Sequence, residues 1–211
     1  DLNQAIELDP ACGRAYKARA MIWRDQREYE SALDDLRLAI EHSSNKAHMY
    51  ESRGLIYQKQ LGDHEKALAD FTAAIAHDSS YASAYESRAT LLRAMVRDDD
   101  ALEDFNQAIQ HDPNYALAYN NRGVLYWLVL GNTRAALADF SDAVRCDPSF
   151  STAYLNRGSL YSELQNHGDA LLDLNRALEL DPKKLDALLE RADVYRRLGE
   201  LEKSIADATT A

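Results

Sequence analysis

Apolar and small residues recur along the chain at helical spacing, in pairs of segments that short turns separate. Within residues 116–150 these positions are Tyr119, Gly123 and Tyr126, then Ala136, Phe140 and Ala143. Spacings of four and seven residues place each trio on one stripe of an α-helix. Gly131 and Pro148 follow the two segments, where glycine and proline end helices. The pattern predicts two amphipathic helices joined as a hairpin.

The hairpin pattern repeats along the whole chain. One alanine marks its register every 34 or 35 residues, at Ala5, Ala39, Ala74, Ala108, Ala143, Ala177 and Ala211. Complete copies are predicted at 13–46, 47–81, 82–115, 116–150 and 151–184. Residues 1–12 are predicted to be the end of an earlier second helix, and 185–211 an incomplete copy. Leu61 and Leu130 are the extra residues of copies two and four. Periods of this length indicate a repeat architecture.

Each copy resembles the tetratricopeptide repeat, with an aromatic residue, a small residue, a second aromatic, then Ala-x-x-x-Phe and a closing proline. Tyr119, Gly123, Tyr126, Ala136, Phe140 and Pro148 carry this match in copy four. The resemblance implies an all-α fold, a right-handed superhelical solenoid of antiparallel helix hairpins. It also implies that first helices line a concave groove that holds a protein or peptide partner.

One position departs from the family pattern. An arginine replaces the usual leucine in every first helix, at Arg19, Arg53, Arg88, Arg122, Arg157 and Arg191. Every second helix carries an aspartate, at Asp35, Asp70, Asp104, Asp139, Asp173 and Asp207. An unpaired charge beside an apolar stripe is costly, so we predict one Arg–Asp pair across each hairpin. The alternative is that the arginines bind a carboxylate or phosphate of a ligand.

Charge and composition narrow the classes of partner. The formal net charge is −11, which disfavours nucleic acid and anionic membrane surfaces as partners. No segment has the uninterrupted apolar length of a membrane span. Cys12 and Cys146 lie too far apart in the repeat order to pair within one chain. These features favour a cytoplasmic location and a neutral or basic protein partner.

Motifs for catalysis, cofactors or metals are missing from the sequence. There is no glycine-rich phosphate loop, no nucleophile elbow and no Cys-x-x-Cys pair. His42, His77 and His111 recur at the ends of second helices, where a polar or cationic residue suits the helix dipole. The run 98–100 of three aspartates is interpreted as a helix N-cap. We therefore expect no enzyme activity, no cofactor and no metal.

The groove that the resemblance implies is polar along copies two and three and differs in copies four and five. The predicted partner-binding residues of these copies are Leu117, Asn120, Asn121, Val124, Trp127, Leu128, Leu155 and Asn156. Trp127 with aliphatic neighbours could anchor a side chain, and the asparagines could bind an extended backbone. An alternative is that Trp127 and Leu128 pack on Leu130.

Binding of a chaperone C-terminal tail is disfavoured by the same comparison with the family. Lys17 occupies the first position of the carboxylate clamp that such members carry. The other clamp positions hold Met21, Ser52, Ser83 and Ser87, where the family has asparagine, lysine or arginine.

Three functions are compatible with the sequence. The first is a non-catalytic scaffold that binds a protein or peptide in its groove. The second is a structural strut or a self-association module within a large assembly. The third is a region that recruits substrates for a catalytic domain outside this segment, since the chain begins and ends within predicted helices and is expected to belong to a longer protein.

Overall fold

The protein is all-α, as predicted. A computed structural model describes residues 1–211 and contains thirteen α-helices, one π-helical turn and no strand. The chain forms two compact units, Asp1–Asp112 and Pro113–Ala211. Neither cysteine is in a disulfide.

Unit 1 contains a short leading helix and three helix hairpins. Its helices are α1 (Leu2–Leu8), α2 (Gly13–Asp25), α3 (Tyr29–His42), α4 (Ala47–Ile56), α5 (His64–His77), α6 (Ala82–Ala94) and α7 (Asp98–His111). Unit 2 contains three further hairpins. Its helices are α8 (Ala116–Leu128), α9 (Thr133–Cys146), α10 (Ser151–Glu163), α11 (His167–Leu180), α12 (Leu185–Arg197) and α13 (Leu201–Thr210).

Small residues let the two helices of a hairpin approach closely. Gly54 on α4 and Gly123 on α8 face the rings of Phe71 and Phe140, and a Cβ atom on either glycine would lie 2.7–2.8 Å from the ring. The nearest side chains are the phenylalanine and the neighbouring aspartate of the second helix, because these two residues project across the hairpin.

Consecutive hairpins within a unit share a core. Ile56 of α4 packs into a cluster with Ala32 and Leu36 of the preceding second helix, and Leu160 of α10 packs in the same way against Phe140. Large apolar side chains at these two positions are fully buried. Each hairpin therefore buries part of its apolar face against its neighbours, as expected of a solenoid.

The turn inside every hairpin contains one residue in the left-handed conformation. These residues are Arg27, Gly62, Val96, Gly131, Gln165 and Gly199, with φ between 59° and 79°. Glycine adopts this conformation without strain, whereas a β-branched residue such as Val96 does so at a cost. The sequence indicated the glycine turns but gave no sign that arginine, valine and glutamine would take the same backbone conformation.

The two extra residues lie near these turns. In copy two, Tyr57–Leu61 forms a π-helical turn that continues α4. π-helix occurs mostly as single turns within α-helices, and this one lies where copy two carries its extra residue. In copy four, α8 ends at Leu128, and Leu130 lies in the turn that follows.

The acidic run at 98–100 is not the cap that the sequence predicted. Residue Arg97 occupies the N-cap position of α7, and no side chain caps that helix. Asp100 instead pairs with Arg97, with an Nε–Oδ2 distance of 2.7 Å. The three aspartates stay in the first turn of α7, where negative charge complements the helix dipole.

Candidate functional site

An exposed stripe on α8 is the main surface feature among the predicted partner-binding residues. We call Leu117, Asn121, Val124 and Leu128 the α8 stripe, because their spacing of four, three and four residues places them on one side of the helix. Leu117 is 38% exposed and Leu128 is 65% exposed. Asn121 and Val124 are half-buried between them.

The α8 stripe is more apolar than the same stripe on other first helices. Its two end positions are leucines, whereas the same two positions of the other five first helices hold charged, polar or small residues. In chain order these pairs are Arg14 and Asp25, His48 and Lys59, Ser83 and Ala94, Thr152 and Glu163, and Asp186 and Arg197. Val124 packs against the cluster of Phe140 and Leu160, so this part of the stripe contributes to the core. The two end positions, Leu117 and Leu128, are exposed, and the fold does not require leucine there. An apolar exposed stripe of this kind is suited to contact with a partner.

Asn120 and Asn156 connect α8 to α10. The Nδ2 atom of Asn156 donates to Oδ1 of Asn120 over 2.9 Å, and Nδ2 of Asn120 donates to Oδ1 of Asn121 over 3.1 Å. Asn120 is only 3% exposed, so its predicted exposure to a partner is wrong. Asn121 and Asn156 remain half-buried and retain surface for a ligand.

Leu155 and Trp127 pack inside unit 2. Leu155 is 7% exposed and belongs to a core cluster with Leu188, so its predicted place on the partner surface is wrong. Trp127 packs edge-on against Phe140, with ring centroids 6.2 Å apart, and its Nε1 atom donates to Oε2 of Glu163 over 2.8 Å. The structure thus gives Trp127 a packing role on α9 and α10, and its role as an anchor stays a prediction.

The predicted Arg–Asp pairs are present in all six hairpins. In each, the arginine Nε donates to one carboxylate oxygen and Nη2 to the other, over 2.6–2.8 Å. The pairs are Arg19–Asp35, Arg53–Asp70, Arg88–Asp104, Arg122–Asp139, Arg157–Asp173 and Arg191–Asp207. All six aspartates are buried. This two-point geometry occupies the arginines and so argues against the alternative that they bind a ligand carboxylate or phosphate.

Four of the arginines also contact the preceding second helix, a contact that the sequence did not indicate. The third guanidinium nitrogen, Nη1, donates a hydrogen bond to a polar side chain of the preceding second helix over 2.6–3.2 Å. The donor–acceptor pairs are Arg19–Asn3, Arg88–Thr72, Arg157–Ser141 and Arg191–Asn175. These acceptors occupy the same position of the previous second helix. The hydrogen bond with Asp173 outweighs burial and raises the pKa of Arg157. One guanidinium therefore links three helices.

The three recurring histidines stack on tyrosines. His42, His77 and His111 end α3, α5 and α7 and lie against Tyr16, Tyr50 and Tyr85, with ring centroids 5.3–6.0 Å apart. The position at helix ends is as predicted. The ring contact adds a packing reason for an aromatic residue there.

No group of three His, Cys, Asp or Glu side chains converges to a site for a metal ion. No helix combines the length and the hydropathy that a membrane crossing requires.

Comparison with known families agrees with this architecture. Models described as tetratricopeptide repeat match residues 1–47, 47–80 and 151–184, and one described as TPR repeat matches 97–129. The chain belongs to the tetratricopeptide repeat family. No family among these matches is an enzyme family, and the family is typically a non-catalytic interaction scaffold.

Solved structures with the same fold come from diverse tetratricopeptide proteins. PilF of Pseudomonas aeruginosa has 18% identity and a TM-score of 0.83, over 94% of this chain and 89% of PilF. YrrB, described as having an unusual peptide-binding site, has 24% identity and a TM-score of 0.62, over 89% and 95%. Cut9, from an APC/C complex with Hcn1, has 15% identity and a TM-score of 0.78, over 100% and 43%. A search of curated proteins finds no match.

Proposed function

We propose that this chain is a non-catalytic scaffold that binds a protein or peptide partner through the α8 stripe. The partner would lie along the first helices of unit 2, beside Asn121 and Asn156. The family membership supports protein binding in general, and the α8 stripe supports this particular surface.

The observation that carries the proposal is the pair of exposed leucines at the two ends of the stripe. Leu117 and Leu128 expose apolar surface on a helix whose counterparts carry charged, polar or small residues there. Burial of a fully exposed leucine side chain contributes about 1.5–3 kcal/mol. Leu117 and Leu128 are 38% and 65% exposed, so a peptide that covers them would gain a corresponding part of this amount from each.

The asparagines supply the polar part of the surface. The hydrogen bond between Asn156 and Asn120 fixes both amides. An amide held in this way offers a donor or acceptor to an extended backbone at a small entropic cost. The half-buried Asn121 lies within the stripe and completes a surface that is apolar at its ends and polar at its centre.

Partner capture with matched variants tests this proposal. The wild-type chain, a Leu117→Glu/Leu128→Glu variant and a Leu172→Glu variant are used to capture proteins from extracts of cells that express the protein. Leu172 lies on α11 and is 69% exposed, so its replacement controls for added negative charge on unit 2. Circular dichroism checks that all three remain folded.

The proposal predicts proteins that bind the wild type and the Leu172→Glu control and are lost with the double variant. Cross-linking from a photoreactive residue at position 117 should then join the same proteins directly. If the double variant retains every partner that the control retains, the α8 stripe is not the binding surface.

Self-association is a second candidate, because the last hairpin exposes apolar residues. Leu201 and Ile205 of α13 are 58% and 63% exposed. Leu171, which occupies the position of Ile205 one repeat earlier, packs against the core shared with α12. Sedimentation velocity of the wild type and of a Leu201→Lys/Ile205→Lys variant would separate the candidates: a concentration-dependent dimer that the variant abolishes supports self-association.

A further inference from the structure

The cleft between neighbouring second helices of unit 1 differs in charge between copy two and the copies on either side. In copies one and three the cleft has a volume of about 510 and 450 Å³, and an Arg–Asp pair lines it. Two further positions line both clefts, one on the previous second helix and one a helical turn before the paired aspartate. The four residues are Asn3, Arg19, Ser31 and Asp35 in copy one, and Thr72, Arg88, Asp100 and Asp104 in copy three.

The same four positions of copy two hold three basic residues. They are Arg37 of α3, Arg53 of α4, and Lys66 and Asp70 of α5. A fifth lining position, directly before the paired aspartate, is Asp34 in copy one and Glu103 in copy three, but Ala69 in copy two. At these five positions, basic residues are therefore in excess in copy two, and acidic residues are in excess in its two neighbours.

The third guanidinium nitrogen of Arg53 has no acceptor within the protein. In four other hairpins, Nη1 of the paired arginine donates to the side chain sixteen residues earlier. Sixteen residues before Arg53 stands Arg37, whose guanidinium group can only donate. Nε and Nη2 of Arg53 hold Asp70 over 2.8 and 2.7 Å, and Nη1 makes no hydrogen bond. The Arg53 side chain is 22% exposed, so a ligand can reach this nitrogen from solvent.

The nearby carboxylates do not neutralise Arg37. Its Nε atom lies 3.9 Å from Oδ1 of Asp34, beyond hydrogen-bonding distance, and Glu41 one turn further along α3 makes no ion pair with it. Asp63 is taken by Lys66, over 2.8 Å. The repulsion between the two arginines of the cleft is therefore offset only weakly by the protein itself.

From this local excess of donors we propose that the cleft of copy two binds the phosphate group of a phosphorylated serine in a protein partner. Nη1 of Arg53 and the guanidinium group of Arg37 donate to the phosphate oxygens, and Lys66 adds a positive charge at the rim. A phosphorylated serine carries about −1.5 to −2 charges and three strong acceptor oxygens, which suits donors from three side chains. A carboxylate has two oxygens and is served by one arginine fork, as Asp70 already is.

The phosphate is assigned to a protein because tetratricopeptide repeats are typically interaction scaffolds. The side chains of Arg37 and Lys66 are 61% and 63% exposed, so a peptide that crosses α3 and α5 can reach both. The cleft belongs to unit 1, whereas the α8 stripe belongs to unit 2. The two proposals are therefore independent, and either can fail without the other.

Fluorescence anisotropy with pools of labelled peptides tests the proposal on the 211-residue chain. The first pool has phosphoserine at its central position and mixed residues on both sides. Two further pools carry serine and glutamate at the centre, so that they control for the phosphate and for a simple negative charge. Inorganic phosphate serves as a competitor, and a labelled single-stranded RNA is the last probe.

Two single variants that each remove one arginine charge serve as the test and the control. The test is Arg37→Ser, because a serine at the same position, Ser141, accepts from Nη1 of Arg157 over 3.2 Å. The control is Arg134→Ser, which replaces an exposed arginine of α9 that has no ion pair. Since Nη1 of Arg53 gains an acceptor, the Arg37→Ser variant should unfold at a temperature no lower than that of the control.

The proposal predicts that the phosphoserine pool binds the wild type and the Arg134→Ser control, and that Arg37→Ser loses about tenfold or more in affinity. The serine and glutamate pools should bind at least about tenfold more weakly than the phosphoserine pool, and inorganic phosphate should compete only at higher concentration than phosphoserine peptides. The proposal is overturned if no pool binds, if the glutamate pool or inorganic phosphate binds as tightly as the phosphoserine pool, or if RNA is the preferred probe. Equal loss of affinity in both variants, or a clear loss of stability in Arg37→Ser, would also overturn it.

Discussion

Removal of one partner from the pair Arg157–Asp173 should destabilise the protein far more than removal of an exposed ion pair. Nε and Nη2 of Arg157 donate to the two carboxylate oxygens over 2.7 and 2.8 Å. The arginine side chain is 18% exposed and that of the aspartate is 9% exposed. Both charges are therefore largely withdrawn from water and depend on each other.

The expected size of the effect follows from these exposures. Loss of one member of a buried pair costs about 3–5 kcal/mol. For Asp173→Ala we expect about 3 kcal/mol, since the more exposed arginine recovers some hydration, and for Arg157→Ala about 4 kcal/mol. The double variant leaves no unpaired charge and should lose only about 5 kcal/mol, which gives a coupling energy of about 2 kcal/mol.

Urea denaturation followed by circular dichroism measures these free energies of unfolding. The slope of the free energy against urea must agree among the four proteins, because repeat arrays can unfold in parts. The pair Arg145–Asp142, whose side chains are 60% and 40% exposed, provides the control and should show no measurable coupling. A coupling for Arg157 and Asp173 below about 0.5 kcal/mol would refute the view that the charges depend on each other.

Three further predictions concern single positions. Val96→Gly should stabilise the protein by about 1 kcal/mol in thermal or urea unfolding, because glycine relieves the strain of a positive φ. Trp127→Ala should lower the free energy of unfolding by about 3 kcal/mol, near the low end for large aromatic truncations, because the ring is only half-buried. Leu128→Ala, at an exposed position, should change the free energy of unfolding by less than about 0.5 kcal/mol. The hydrogen bond from Ser149 lowers the pKa of Asp147, so NMR titration should find that Ser149→Ala raises it. Because the pKa of Asp147 is lower in the folded protein than in the unfolded chain, this carboxylate stabilises the fold at pH values above its unfolded pKa. That stabilisation is lost as the pH falls through the lowered pKa of the folded protein.

The sequence predicted the features that depend on residues within one repeat. The helix hairpin follows from apolar spacing, and the Arg–Asp pair follows from their co-occurrence in every copy, as Arg157 and Asp173 show. The contact from Arg157 to Ser141 was missed, because it depends on the preceding hairpin and its acceptor varies among asparagine, threonine and serine. The burial of Leu155 was missed for a similar reason, since α12 of the next repeat covers it.

The candidate binding surfaces are accordingly found where a repeat departs from its neighbours without a reason in the packing. The paired arginines bind their own aspartates and neighbouring hairpins, so they contribute to the array and leave little charge for a partner. Leu117 and Leu128 in unit 2 have no such role and are exposed. Because the ends of the α8 stripe are apolar, added salt should weaken the binding of a partner there only slightly. A strong dependence of that binding on salt would instead point to charged residues outside the stripe.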